Sequence, residues 1–279
     1  MTPSTSRYSQ SQGVKLLELA VREFGPIFTL DQLKPVAREQ QLSGTHLRFL
    51  ISSLASAGWI EIIKRGTYVV KSVLYSGDIP PYAIAAALVH PVAISHWSAC
   101  SHHGFTTQTP AMVQASTPKK VITPEMRKGK AHSPRGRATW QANSLEFEFI
   151  HVKLDLFWGF DKIWVSSWQQ VNITDPERTA LDLIARPDIF GGVSAAIEIL
   201  ENAIGQIKVN RLVEYALKYD TGSVIKRLGW ALEELGAPAE NLERLQSYPV
   251  KRYYPLDPNL DEYASKNIRW QILENMGRS

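Results

Sequence analysis

Two β-rich runs, Trp59 to Lys64 and Thr67 to Val70, are separated only by Arg65-Gly66. A two-residue connection containing glycine closes such runs into an antiparallel hairpin, because the turn needs a left-handed backbone that glycine adopts without a Cβ clash. What precedes the hairpin is helical in pattern. Val14, Leu17, Ala20, Val21 and Phe24 recur at helical spacing and predict an amphipathic helix from Gln12 to about Phe24, stopped by Gly25-Pro26. Ile27-Phe28 reads as a short extended piece. Thr29, with Gln32 three residues on, has the form of a capping box and predicts a second helix to about Gln40. That helix carries Leu33, Val36 and Ala37 inward and has Pro35 inside it. Ser43 caps a third, in which Leu47, Leu50, Ile51 and Leu54 form one apolar stripe and Gly58 marks the end. Three helices followed by a hairpin with a basic tip is the order of a winged helix-turn-helix.

The exposed side of such a third helix would carry Thr45, His46, Arg48, Ser52 and Ser53. Short polar and basic side chains there suit a helix lying in the major groove, where Thr45, His46, Arg48 and Ser52 would meet base edges. The wing, with Lys64, Arg65 and Thr67, would reach the backbone or minor groove. Residues 1–75 hold nine Lys/Arg and five Asp/Glu, which leaves 22 of each sign in the remainder. The net charge of +4 is therefore concentrated in the quarter of the chain that would face phosphates. A winged fold used for protein contact, with its basic residues solvated, is the competing reading.

Gly77-Asp78-Ile79-Pro80-Pro81 changes the texture and is the expected boundary between a winged domain, 1–77, and a larger mixed α+β domain, 78–279. Residues 1–11, polar and Ser-rich, are expected to be disordered. The single cysteine, Cys100, excludes an intrachain disulfide and fits a reducing compartment. No apolar stretch follows a basic start, and the longest apolar run, Tyr82 to Ile94, is broken by His90 and Pro91. A cytoplasmic protein without membrane partners is the expectation.

Beyond the boundary a helix is predicted over Tyr82–Val89. His96, Cys100, His102 and His103 then raise the question of a metal. On a helix His96, Cys100 and His103 share a face, but no second cysteine pair exists, and a helix packing Trp97 and Cys100 inward accounts for the segment better. No metal or other cofactor is expected. From Lys119 to Arg137 the chain holds seven basic residues (Lys119, Lys120, Arg127, Lys128, Lys130, Arg135 and Arg137) and one acid, Glu125. It should form a loop or loose hairpin, and a solvated face and a second phosphate contact remain equally open there. Paired strands are predicted over Gln141–Leu156. Glu146, Glu148 and Lys153 offer the only handle for a metal-dependent nuclease, and alternating charge on an exposed strand face explains them better. There is no phosphate-binding glycine loop and no nucleophile elbow, so no enzymatic activity is expected.

Further on, Val171-Asn172-Ile173 reads as a strand, followed by helices over Pro176–Ala185, Val193–Ala203 after Gly191-Gly192, Asn210–Tyr219 and Ser223–Leu235. Extended pieces are expected around Lys251–Tyr254 and over Asn267–Glu274.

Five stretches resemble a known family. They are Lys64-Arg65-Gly66-Thr67-Tyr68; Ile94-Ser95-His96-Trp97-Ser98-Ala99; His103-Gly104-Phe105-Thr106; Val171-Asn172-Ile173-Thr174-Asp175-Pro176-Glu177-Arg178-Thr179; and Leu256-Asp257-Pro258 with Asn267-Ile268-Arg269-Trp270. Together they resemble the AbiEi family, the antitoxin and transcriptional repressor component of bacterial type IV abortive-infection toxin-antitoxin systems. The resemblance implies a repressor of its own two-gene operon that binds inverted repeats in double-stranded DNA through the winged domain. It also implies an antitoxin role for the C-terminal domain against a nucleotidyltransferase-like toxin, without a stable complex, and histidines that serve no known metal.

Overall fold

The protein is described by a computed structural model covering residues 4–71, 74–129, 134–261 and 265–275. It is an α+β chain in which two compact units are woven from alternating segments. The first gathers Met1–Val92, Lys119–Phe149 and Lys162–Val171; the second gathers Ala93–Pro118, Ile150–Asp161 and Asn172–Ser279. The sequence boundary near Gly77 therefore does not divide them. Segments far apart in sequence close each unit by non-local packing, which no local composition shift records.

The elements of the first stretch are α1 (Ser4–Phe24), β1 (Ile27–Thr29), α2 (Leu30–Glu39), α3 (Gly44–Ser56), β2 (Ile60–Lys64), β3 (Thr67–Val70) and α4 (Pro81–Leu88). The chain continues through β4 (Ala93–Ile94), α5 (His96–His102), β5 (Val113–Thr117), α6 (Pro124–Arg127), β6 (Arg137–Ala142) and β7 (Leu145–His151). After β8 (Phe160–Trp164) and β9 (Gln170–Thr174) come α7 (Pro176–Ala185), α8 (Val193–Ala203), α9 (Val209–Tyr219), α10 (Gly222–Glu234) and α11 (Ala239–Gln246). The tail adds β10 (Tyr254–Pro255), β11 (Ser265–Asn267) and β12 (Ile272–Glu274).

Helix α1 begins well before Gln12, so residues 4–11, expected to be disordered on composition, are helical. Its apolar stripe, with Leu16, Leu17 and Ala20 buried, packs in one core with Leu33, Val36 and Ala37 of α2 and Leu47, Leu50 and Leu54 of α3. The local signals at the helix starts are realised. Gln32 N donates to Thr29 Oγ1 at 3.2 Å, and Thr29 N donates to Gln32 Oε1 at 2.8 Å, the reciprocal pair of a capping box. At α3, His46 N donates to Ser43 Oγ at 3.2 Å. Strands β1, β3 and β2 form an antiparallel sheet in that order, with Thr29 opposite Thr67 and Ile60 opposite Val70. Leu30 N donates to Gly66 O at 2.9 Å and ties the hairpin turn to the start of α2.

Strands β6 and β7 make a second hairpin in this unit. Asn143 and Ser144 both take left-handed backbone (φ 50° and 60°), the pattern of a two-residue turn matched to strand twist. Asn143 N donates to Glu61 Oε1 at 2.7 Å, and Glu61 Oε2 pairs with Lys71 Nζ at 2.6 Å. This second hairpin is thereby fastened to β2.

In the second unit β4 lies between β5, antiparallel (Ala93 opposite Ser116), and β9, parallel (Ile94 opposite Ile173). Helices α7 to α10 supply most of its core, including Leu181, Leu183, Leu200, Leu212 and Leu228. Trp270 is fully buried against Gly229, where any side chain would collide with its ring. The helix starts read from Asp175-Pro176 and Gly191-Gly192 are found as predicted, with Arg178 N donating to Asp175 Oδ1 at 2.7 Å. Among the described residues no helix is long and apolar enough to cross a membrane.

Candidate nucleic-acid interface

Helix α3 is anchored on one side and open on the other. Leu47, Leu50, Ile51 and Leu54 are buried, while Thr45, Arg48 and Ser52 are exposed and His46 is half-buried. The expected face is therefore formed, with His46 partly turned toward Phe49 (ring centroids 6.4 Å apart). Phe49 itself is 58% exposed and stands among these polar groups, as does Ile62 of β2, 53% exposed. Neither was singled out from sequence, although Phe49 falls outside the apolar stripe and so had to face away from the core. Arg48, Ser52, Ile62 and Tyr68 line an open groove of about 440 Å³ between α3 and the hairpin.

In the hairpin expected to act as a wing, Lys64 is exposed with its ammonium engaged, and Thr67 departs from expectation. Between Ile62 and Lys64 the register of β2 against β3 shifts, so Ile63 is an inserted residue and is buried. A bulge of this kind re-aims the side chains beside it. Lys64, expected at the tip facing nucleic acid, donates from Nζ to Leu88 O at 3.0 Å and so satisfies a carbonyl in the last turn of α4. Thr67 is only 5% exposed, on the strand between β1 and β2, and has no surface to offer. Arg65 remains exposed beside Gly66 in the turn.

Among the described residues the basic stretch contains a short helix. Thr123 caps the short α6, accepting from Met126 N at 3.3 Å, and Arg127 and Lys128 are exposed at its end. Lys119 and Lys120 are exposed as well; Arg135 is exposed in a left-handed turn (φ 50°), and Lys130 lies outside the described residues. Arg137 is a correction. Its Nε and Nη2 donate to Glu148 Oε1 and Oε2 at 2.7 and 3.1 Å across the β6–β7 hairpin. Glu148 in turn is 5% exposed, not on the solvated strand face expected for it, so the pair is a buried carboxylate with its own counter-ion. Replacing Arg137 with alanine should leave the salt dependence of any DNA binding unchanged. Stability should fall by about 1.5–3 kcal/mol, read by urea denaturation, because two charge-assisted hydrogen bonds to a nearly buried carboxylate are lost.

The segments thus brought into the first unit change the charge picture. That unit carries seventeen Lys/Arg against nine Asp/Glu, a net charge of +8, and the second carries fourteen against eighteen, a net charge of −4. The excess read from residues 1–75 understates the asymmetry, because the basic stretch belongs to the same unit.

The histidine segment of the second unit serves other ends. His103 donates from Nε2 to Thr174 O at 2.7 Å, and His96 Nδ1 shares a hydrogen bond of 2.7 Å with Ser95 Oγ. Cys100 is fully buried, and burial raises its thiol pKa far above the ordinary range. Among the described residues no group of three or more His, Cys, Asp or Glu is placed to hold a metal. A thiol reagent such as an aromatic disulfide should therefore modify Cys100 only at the rate of unfolding, with release of chromophore in folded protein slower than in urea by at least about a hundredfold.

No family model matches the sequence, and no curated relative matches it. Among solved structures the chain is similar to the crystal structure of the RV2827C protein from Mycobacterium tuberculosis, with a TM-score of 0.64 covering 94% of this chain and 91% of that one. At 15% sequence identity that likeness speaks for a common fold.

Proposed function

We propose that the chain is a sequence-specific DNA-binding transcriptional repressor whose first unit carries a winged helix-turn-helix. The observation that carries this reading is the pairing of an exposed polar face on α3 with a unit of net charge +8. Helix α3 is the recognition helix. Arg48 provides the bidentate donor for a guanine edge, Thr45 and Ser52 reach neighbouring bases, and Phe49 has the apolar surface that a thymine methyl would meet. Arg65 at the hairpin turn, with Lys119, Lys120, Arg127 and Lys128, supplies phosphate contacts that position the helix without specifying sequence.

The family resemblance adds the biological setting: repression of its own operon, and an antitoxin function against a nucleotidyltransferase-like toxin. A reading frame of that type directly beside this gene, and rescue of growth when both are expressed, are the results expected of it. The exposed Phe49 and Ile62 favour one competing reading, a winged module that binds protein.

The test is fluorescence anisotropy on the duplex upstream of the gene. Arg48→Ala should lose about 1–3 kcal/mol of binding and relax the preference at one base, and Arg65→Ala should lose less and relax nothing. If both variants keep full affinity with unchanged melting curves, the winged surface is not the DNA-binding surface.

A further inference from the structure

Within the first unit, away from the α3 face, lies a cleft of about 330 Å³ to which the DNA-binding reading gives no role. Its floor exists because one face of α4 is built of alanine. Ala83, Ala86 and Ala87 stand at i, i+3 and i+4, and a larger residue at any of them would fill the space. Phe28 of β1 lines it too.

The mouth is formed by the segment before β9. Trp168 is 41% exposed, yet its ring is held: it packs on Gly25, where an added Cβ would sit 2.9 Å from Trp168 Cδ2, and it meets Tyr75 edge-on with centroids 6.2 Å apart. An indole fixed at a cleft mouth with one face open is a stacking surface. Among the described residues the one ionisable side chain lining the cleft is Glu23, a carboxylate at the rim of a unit that is otherwise strongly basic.

We propose that this cleft is a small-molecule site for a flat, apolar ring bearing a protonated amino group. The ring lies against the alanine face of α4 and Trp168, and the amino group faces Glu23. The size is at the lower end for small-molecule sites, which fits one fused ring system. An anionic analogue is disfavoured by Glu23.

The probe is tryptamine, with indole-3-propionate as the control that keeps the ring and reverses the charge, each titrated calorimetrically into the full chain without DNA. Saturable one-site binding of tryptamine is expected, at least about tenfold tighter than that of the carboxylate. Ala86→Leu should weaken tryptamine by at least about tenfold by filling the cleft, with the far-ultraviolet spectrum unchanged. Should that variant fail to fold, the rim variant Glu23→Gln decides, since it alters only a surface charge and should bring the two ligands to within about twofold of each other. Absence of saturable tryptamine binding, equal binding of the carboxylate, or unchanged discrimination in Glu23→Gln would overturn the proposal. DNA takes no part in the measurement, so its failure leaves the DNA-binding reading where it stands.

Discussion

Replacing Arg178 with alanine is expected to destabilise the second unit by about 3–5 kcal/mol, the cost of removing one partner of a buried ion pair. Arg178 and Asp182 are both buried, with Nε donating to Oδ1 at 2.9 Å. The same guanidinium donates from Nη1 to Leu156 O at 2.8 Å and Trp158 O at 2.9 Å, and lies 4.7 Å from the centre of the Trp158 ring. It thereby pins the segment entering β8 onto α7. Gly159 lets that segment come so close: at φ +79° it takes a backbone glycine favours, and an added Cβ would lie 2.9 Å from Arg178 Cβ. Without the guanidinium two carbonyls lose their donor. Asp182, whose Oδ2 already has no hydrogen-bond partner among the described residues, loses its ion-pair partner while staying buried. Arg178→Lys should recover little, because an ammonium cannot reproduce the fork that meets three acceptors at once. Equilibrium urea unfolding gives the number, with a loss below about 1 kcal/mol contradicting the account. The Asp175–Thr179 stretch thus reads here as architecture. Asp175 Oδ2 accepts from Arg211 Nη2 and from Tyr215 OH, each at 2.7 Å, and so ties the start of α7 to α9.

The second large effect concerns salt. Reversing Lys120, Arg127 and Lys128 to glutamate should lower the slope of log K against log salt by about 2.7, since each phosphate neutralised contributes about 0.9. Between about 50 and about 200 mM salt the unaltered chain should therefore lose about fortyfold more affinity than the triple variant. Sequence preference should not change, because phosphate contacts carry no base information. Equal slopes would mean that the stretch is a solvated face. Arg137 is left out of this set because Glu148 already claims it.

What could be read in the sequence was what is decided locally. The capping box at Thr29 and Gln32, the Ser43 cap, the stripe on α3 and the Asp175-Pro176 helix start each involve groups within a turn or two of one another, and each is found. What was missed depends on partners distant in sequence. Lys64, although exposed, has its ammonium on Leu88 O, an acceptor from a different element. Glu148 resembled a strand-surface residue until Arg137, across the hairpin, covered it. The assignment of the basic stretch to the first unit came from chain crossings that composition does not mark. Helix α11 was passed over because Leu242 and Leu245 give it few apolar positions, and Lys226 stabilises it from α10 by donating to Leu245 O and Gln246 O at its end.

The central claim is that the basic first unit presents α3 to specific DNA. It is tested most directly by titrating the full chain onto the labelled duplex upstream of its gene and onto a shuffled duplex of equal length and composition, across a range of salt. The account predicts a preference for the upstream duplex of at least about a thousandfold, with log K falling linearly against log salt on both. Equal affinity for the two duplexes, or no binding to either at low salt, would contradict it.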